Sequence, residues 1–467
     1  MRRSNSVVRA SVVQAAIVAA TASSMAVADT INVPADAPTI TIAINLAAAG
    51  DEIVVAPGTY FEAVSLNGKT LTIRSSDGPA TTIVDGFGQF KPVIRIVTGE
   101  GAATLIEGFT IRNGNATAAA PGDRGGGIYC NATSPTISNC IFQANQAVFG
   151  GGFYANGGAP KIIGCQFVEN DAVTAVGDGG AAYLTATTAI LTDCKFIGNS
   201  AQRIGGAIRS ITSNSTHTRC EYIQNQSGNN GGALDVSGTT ALTAIDCRFT
   251  GNASGALGGA VVSATTTVPA PAFINCVFDA NTAATTGGAV HIATGAKAEL
   301  TNCTVAGNMS VGAGGGIFST GTGAATVRNC IVWGNVPTGI VGVNTTTYSC
   351  HQGVIAGTGN INADPLFIDE KNGDLRLSAG SPCIDAGNTT LLNSGVSIDL
   401  DGDPRVVNVL PAPTGVFAYG YFIDMGAYEF PAPATPTNCP GDFDGNGMVD
   451  GADLGLLLGA WGRCPEG

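Results

Sequence analysis

One unit recurs eight times between residues 125 and 335, and it dictates what the chain can become. A Gly-Gly-[Ala/Gly]-apolar motif starts at Gly125, Gly150, Gly179, Gly205, Gly231, Gly258, Gly287 and Gly314, at spacings of 25, 29, 26, 26, 27, 29 and 27. A second motif, Cys-x-[Phe/Tyr/Val]-x-x-Asn, starts at Cys140, Cys165, Cys194, Cys220, Cys247, Cys276, Cys303 and Cys330 and keeps step with it. Periods of this size belong to solenoids and related arrays. Runs such as AILTDCKF and ALTAIDCRF alternate, which sends successive side chains to opposite faces of a strand. No unit carries a helical stripe, which argues against helical solenoids and leucine-rich repeats. A unit of about 26 residues holds three short strands and three turns, and it must stack on its neighbours to bury a face. The expected fold is therefore all-β, a right-handed single-stranded parallel β-helix with coils roughly 4.8 Å apart. Phe and Cys are expected to stack inside. Asn145, Asn170, Asn199, Asn225, Asn252, Asn281, Asn308 and Asn335 are expected at a turn, their amides bonding to the next coil's backbone.

The 66 glycines and the 12 % of charged residues suit many tight turns and small inward side chains. A net charge of −13 leaves no basic footprint for nucleic acid and disfavours anionic polymers and lipids.

The GGA[ILV] and FxxN pair over 125–335 resembles the repeat of polymorphic outer-membrane proteins, whose passenger domains are β-helical. In residues 36–60, Ile40, Ala43, Ile44 and Ala47 fall at helical spacing, and a short helix there is expected to cap the N-terminal end. EIVVAPGTYFEAVSL and KTLTIRSS read as the first strands. This opening resembles the pectin-lyase-like superfamily, which includes pectinesterases and pectate lyases; the likeness implies fold rather than chemistry. DPLFIDEKNGDLRLSAGSPCIDAGN, IDLDGDPR and IDMGAYEF resemble the choice-of-anchor segment of secreted bacterial β-helix proteins, which implies final coils and a cap. Asp399, Asp401 and Asp403 begin like a cation loop, but the twelfth position is Leu410, so a structural turn is expected.

The organisation expected is a signal peptide (1–28), a β-helix (29–359), a cap (360–430), a Pro-rich linker (431–438) and a small calcium-loop and helix module (439–467). Arg2, Arg3 and Arg9 precede an apolar run, and Ala26-Val27-Ala28 offers a cleavage pattern ahead of Asp29. An uncleaved anchor helix is the alternative, although the run is short and broken by Gln14. Cleavage removes three arginines and no acids, taking the charge from −13 to −16. No later stretch is apolar enough to span a bilayer, and a secreted or cell-surface location follows. In the tail, Asp442, Asp444, Asn446, Asp450 and Asp453 stand at positions 1, 3, 5, 9 and 12 of a calcium loop. Gly447 takes the sharp turn and Met448 gives its carbonyl. Leu454, Leu457, Leu458 and Trp461 follow as a helical stripe. This tail resembles a GC-type dockerin half, with one loop where dockerins carry two. The resemblance implies calcium and attachment through a cohesin-like or cell-surface partner.

Of thirteen cysteines, eight share one repeat position, and a ladder of buried thiols is expected, with bridging between neighbours as the alternative. Cys350 and Cys383 form a separate possible pair, and Cys439 and Cys464 flank the tail. His217, His291 and His351 are too scattered for a metal site. Lyases of this fold pair calcium-binding Asp with an Arg base, and hydrolases cluster Asp residues. The repeats show no adjacent Asp pair, and Arg203, Arg209, Arg219 and Arg248 are isolated in sequence. Arg209 and Asp235 lie near one another in successive coils, where an exposed ion pair is expected. Catalytic residues are therefore unassigned. Two functions remain: a non-catalytic binding, adhesion or structural protein, or a polysaccharide lyase or glycoside hydrolase acting on extracellular glycans.

Overall fold

The computed structural model describes residues 28–431, apart from 119–122, 267–268, 344, 354–355, 394–395, 408–412 and 419–421. Each repeat makes a coil of four strands rather than three. One coil runs Thr136–Ser138, Ile141–Gln143, Gln146–Ala147 and Phe153–Asn156. Equivalent strands stack into four parallel sheets, here I to IV in that order, of 13, 12, 8 and 11 strands. Register follows the repeat: Ile137 lies opposite Ile162, and Phe142 opposite Phe167. The additional strand is the two-residue step after each ladder Asn from Asn145 to Asn308. It is too short for alternation to show, so in sequence it merges with a turn.

Left-handed backbone makes the corners. Between sheets I and II, Asn139, Asp193, Arg219, Asp246, Asn275, Asn302 and Asn329 each turn the chain with φ between 50° and 54°, a region that Asn and Asp enter more readily than most residues. The Gly-Gly corner is fixed twice over. Gly179 has φ 68°, and a Cβ on Gly180 would collide with the carbonyls of Ser200 and Gly206 in the next coil.

Three ladders fill the interior. Asn199 donates from its backbone N–H and from Nδ2 to Asn225 Oδ1, at 3.0 and 2.9 Å, and from Nδ2 to the Phe167 carbonyl at 2.9 Å. The same bonds repeat from Asn145 to Asn335. Each amide thus reaches the backbone of the preceding coil rather than the next one expected, and bonds the next coil's amide as well. Beside it, Phe142, Phe167, Phe196, Tyr222, Phe249 and Phe278 stack with centroids 4.4–4.9 Å apart and near-parallel rings. Contacts of this kind add about 0.5–1.5 kcal/mol each beyond burial. The eight repeat cysteines are buried thiols, and Cys165 Sγ donates to the Ile137 and Ile163 carbonyls at 3.5 Å.

At the N-terminal end, the helix Ile40–Leu46 buries Ile40, Ala43 and Ile44 in the main core. Thr39 caps it, and the Glu62 carboxylate accepts the Ile40 and Thr41 amides at 2.8 and 2.9 Å. Beyond the last coil, a hairpin (Phe367–Asp369 with Asp374–Leu377) leads into a segment lying along the outer face of sheet II. Asn275 Nδ2 donates to the Ile398 carbonyl, Asn329 and Asn388 bond reciprocally, and the Ala427 amide donates to Thr304 Oγ1. This segment buries the outward-facing Val277, Ala306 and Ile331. Among the described residues, no helix is long and apolar enough to cross a membrane.

Candidate functional site

Of the expected site residues, Asp442, Asp444, Asn446, Met448, Asp450 and Asp453 lie outside the described residues. The other expected meeting, Arg209 with Asp235, takes place. Both face outward from sheet IV in register, and they form an ion pair. The pair is not exposed, however: the side chains are only 11 % and 4 % accessible. Tyr183, Asp178 and Arg203 crowd around it, with Arg203 bonded to Asp178. Burial pushes the Arg209 guanidinium down and the Asp178 and Tyr183 groups up from their ordinary values. Arg209 Nε and Asp178 Oδ1 have no hydrogen-bond partner. Pairs taken out of water in this way are costly to break and gain little over apolar packing. The rest of the column is aromatic toward the N-terminal end: Tyr129, Tyr154 and Tyr183 stand in register, with Arg95 over the Tyr129 ring and Arg124 over Tyr154.

A more open group of charges lies elsewhere, where the C-terminal segment meets the corner of sheets I and II. Arg219, Glu221, Asp246, Arg248 and residues 398–402 line a cleft of about 260 Å³. Arg219 grips Asp193 through two bonds, of 2.6 and 2.9 Å. Lys195 meets Glu221 at 3.0 Å. Arg248 meets Asp401 at 3.2 Å and also bonds the Tyr428 hydroxyl. Asp246 accepts from Asn275 Nδ2 at 3.1 Å, and burial pushes both Asp246 and Asp401 up from the usual carboxylate range. Sequence reasoning missed this group because Arg248 and Asp401 are 153 residues apart, and nothing in the repeat reports where the later segment docks.

The DLDGDPR turn is structural. Asp399 Oδ1 accepts the Asp401 and Asp403 amides and Oδ2 accepts the Glu429 amide, so backbone donors occupy the oxygens a cation would need. The three histidines are buried and separately bonded: His217 to Tyr222, His291 to Thr286 and Thr320, and His351 to the Gly353 carbonyl. Among the described residues, no three His, Cys, Asp or Glu side chains come together as a metal site.

The sequence matches a family model described as "Right handed beta helix region" over 94–278 and 173–332, together more than half of the chain. Among solved structures, the chain is similar to one titled "Crystal structure of pectate lyase Pel9A", with a TM-score of 0.39 and 13% identity over 84% of this chain and 90% of that one. A search of curated proteins finds no match.

Proposed function

The chain belongs to the right-handed β-helix family, and from that premise we propose a non-catalytic role outside the cell, as a rod that binds or displays and is tethered by its C-terminal module. One observation carries this reading. Among the described residues, every arginine except Arg95 is held in an ion pair, most of them with a neighbouring coil or with the docked segment. Arg95 lies over an aromatic ring. An arginine that abstracts a proton beside a carboxylate must be free to reach substrate, whereas these guanidinium groups are held in ion pairs, most of them joining coils. Residues 1–28 would direct export, and the oxygens of Asp442, Asp444, Asn446, Met448, Asp450 and Asp453 would hold a calcium ion that orders the tethering module.

The test is a glycan-binding and degradation screen of the full chain, with calcium present and after chelation. Binding without new reducing ends or unsaturated products is expected. Surface retention should fall on chelation and in Asp442→Ala. Product release from any polymer would overturn the reading. The second reading, a polysaccharide lyase or glycoside hydrolase, is favoured by Asp246, Asp401 and the two arginines of the cleft. It requires product formation that Asp246→Asn abolishes while the fold persists.

A further inference from the structure

Among the described residues, three cysteines stand off the thiol ladder: Cys130, buried in the main core, and Cys350 and Cys383, which lie outside it. The column running from Cys140 to Cys330 ends at Ser349, whose Oγ accepts the Cys330 amide at 3.1 Å. Cys350 comes one residue later, opposite Ile331 in sheet II. The pleat therefore turns its side chain away from the coil interior. There the C-terminal segment covers it, in a buried cluster shared with Cys383, Ile384, Ala386 and Met425. Cys383 is held in place from two sides. Its amide donates to Ser381 Oγ at 3.2 Å, and its carbonyl accepts the Met425 amide at 3.0 Å. Both residues are fully buried, and the Cys350 thiol donates to the Ala363 carbonyl at 3.0 Å.

The ladder cysteines differ in kind. They descend from equivalent strands with parallel side-chain directions, and each donates to carbonyls of its own coil and the one before. Cys350 and Cys383 instead come from separate segments of the chain and meet across an interface. Disulfide geometry demands such a convergence of side chains.

We propose that Cys350 and Cys383 are joined by a disulfide in the mature protein, a covalent tie between the last coil and the segment docked on sheet II. The oxidant is a low-molecular-weight or protein disulfide. The Cys350 thiolate attacks one of its sulfurs and expels the other as a thiolate. The Cys383 thiolate then attacks Cys350 Sγ in the mixed disulfide and expels the second. Two protein thiols become one disulfide, the external disulfide becomes two thiols, and both protons pass to solvent or to the leaving thiolates. The Cys383 thiol beside it holds Cys350 below the ordinary thiol range, while burial pushes Cys383 up.

Position offers a direct assay, because Lys371 and Arg376 lie between the two cysteines and are exposed. The full chain is equilibrated with oxidised glutathione and nicked with trypsin. On a denaturing gel, nicked protein should run as one species without reductant and as two with it. The same sample, alkylated without reduction and mapped by mass spectrometry, should give the Cys350 and Cys383 peptides joined and lighter by two hydrogen atoms. The ladder cysteines should be alkylated. In Cys383→Ser, Cys350 should carry the alkyl group or glutathione. The proposal is overturned if the fragments part without reductant. It also fails if both cysteines are alkylated unreduced, or if either is bridged to glutathione alone, to a ladder cysteine, or to Cys439 or Cys464 in wild type.

Discussion

His217 shows what a single inward position costs when it titrates. It lies in register between Leu191 and Ala244 and is wholly buried, with Nδ1 2.7 Å from the Tyr222 hydroxyl. Burial pushes its pKa from 6.5 down to about 3. The unfolded chain therefore takes up the proton first as pH falls. The stability held by the neutral ring is complete above about pH 6.5 and drains away toward pH 3, by roughly 4–5 kcal/mol in full. Replacing the pair with what neighbouring coils use, His217→Leu with Tyr222→Phe, should flatten the acid limb of Tm against pH. A limb of unchanged depth would show that another group is responsible. Asn225 makes the complementary case. Asn225→Ala strips the acceptor from the Asn199 amide and Nδ2 and leaves the Phe196 carbonyl without its donor. Unsatisfied buried groups of this kind should cost roughly 2–4 kcal/mol in denaturant titrations. A loss below 1 kcal/mol would mean that the ladder follows the fold rather than sustaining it.

At the scale of an element, the docked segment closes on a buried knot of charge. Arg405 contacts Glu429 at 3.2 Å and also bonds the Gly426 carbonyl. Asp424 accepts the Asp385 and Phe430 amides, and Glu429 accepts the Asp424 amide. Burial nevertheless pushes Asp424 up to about 7 and Glu429 well above the carboxylate range, with Asp385 and Asp399 adding repulsion. A carboxyl whose folded pKa is raised favours the folded state while it stays protonated, so its contribution is complete below about pH 3.8 and is lost as pH rises toward 7, by roughly 4 kcal/mol in full for Asp424. Hydrogen exchange at 422–431 should accordingly be slower at pH 5 than at pH 8 once corrected for intrinsic rate, and Asp424→Asn should reduce the difference, Glu429 carrying the rest. Equal protection in wild type would contradict the assignment. The contrast with the coils marks how far sequence reaches. The Cys, Phe and Asn columns were legible because strict repetition forces like residues over like. The helix at Ile40–Leu46 was legible from its apolar spacing. The two-residue strand of sheet III was not, since two residues carry no period. The burial of Arg209 and Asp235 was hidden because it depends on how Tyr183 and Arg203 crowd around them. The cleft at Asp246 and Asp401 was hidden because its two walls are joined only by folding.

Taken whole, the stack is quasi-one-dimensional, since each coil touches chiefly the coils before and after it. Coil boundaries should then be interchangeable. Deleting residues 140–164 joins Asn139 to Cys165, both already at a corner between sheets I and II. It also sets Arg124 opposite Asp178, Tyr129 opposite Tyr183, and the Gly114 amide opposite Asn170 Oδ1, replacing the contacts removed. The shortened chain should fold with an unchanged β-sheet spectrum and lose about 4.8 Å of length in small-angle scattering. Collapse of cooperative unfolding would mean that some contact skips a coil. The amides of the central ladder bear on the same point. From Asn145 to Asn308 they face one way, each donating to the next, and the same bond recurs from coil to coil. How far such a molecule reaches is thus written in no individual side chain; it is a tally of copied turns, open to extension or trimming one whole turn at a time.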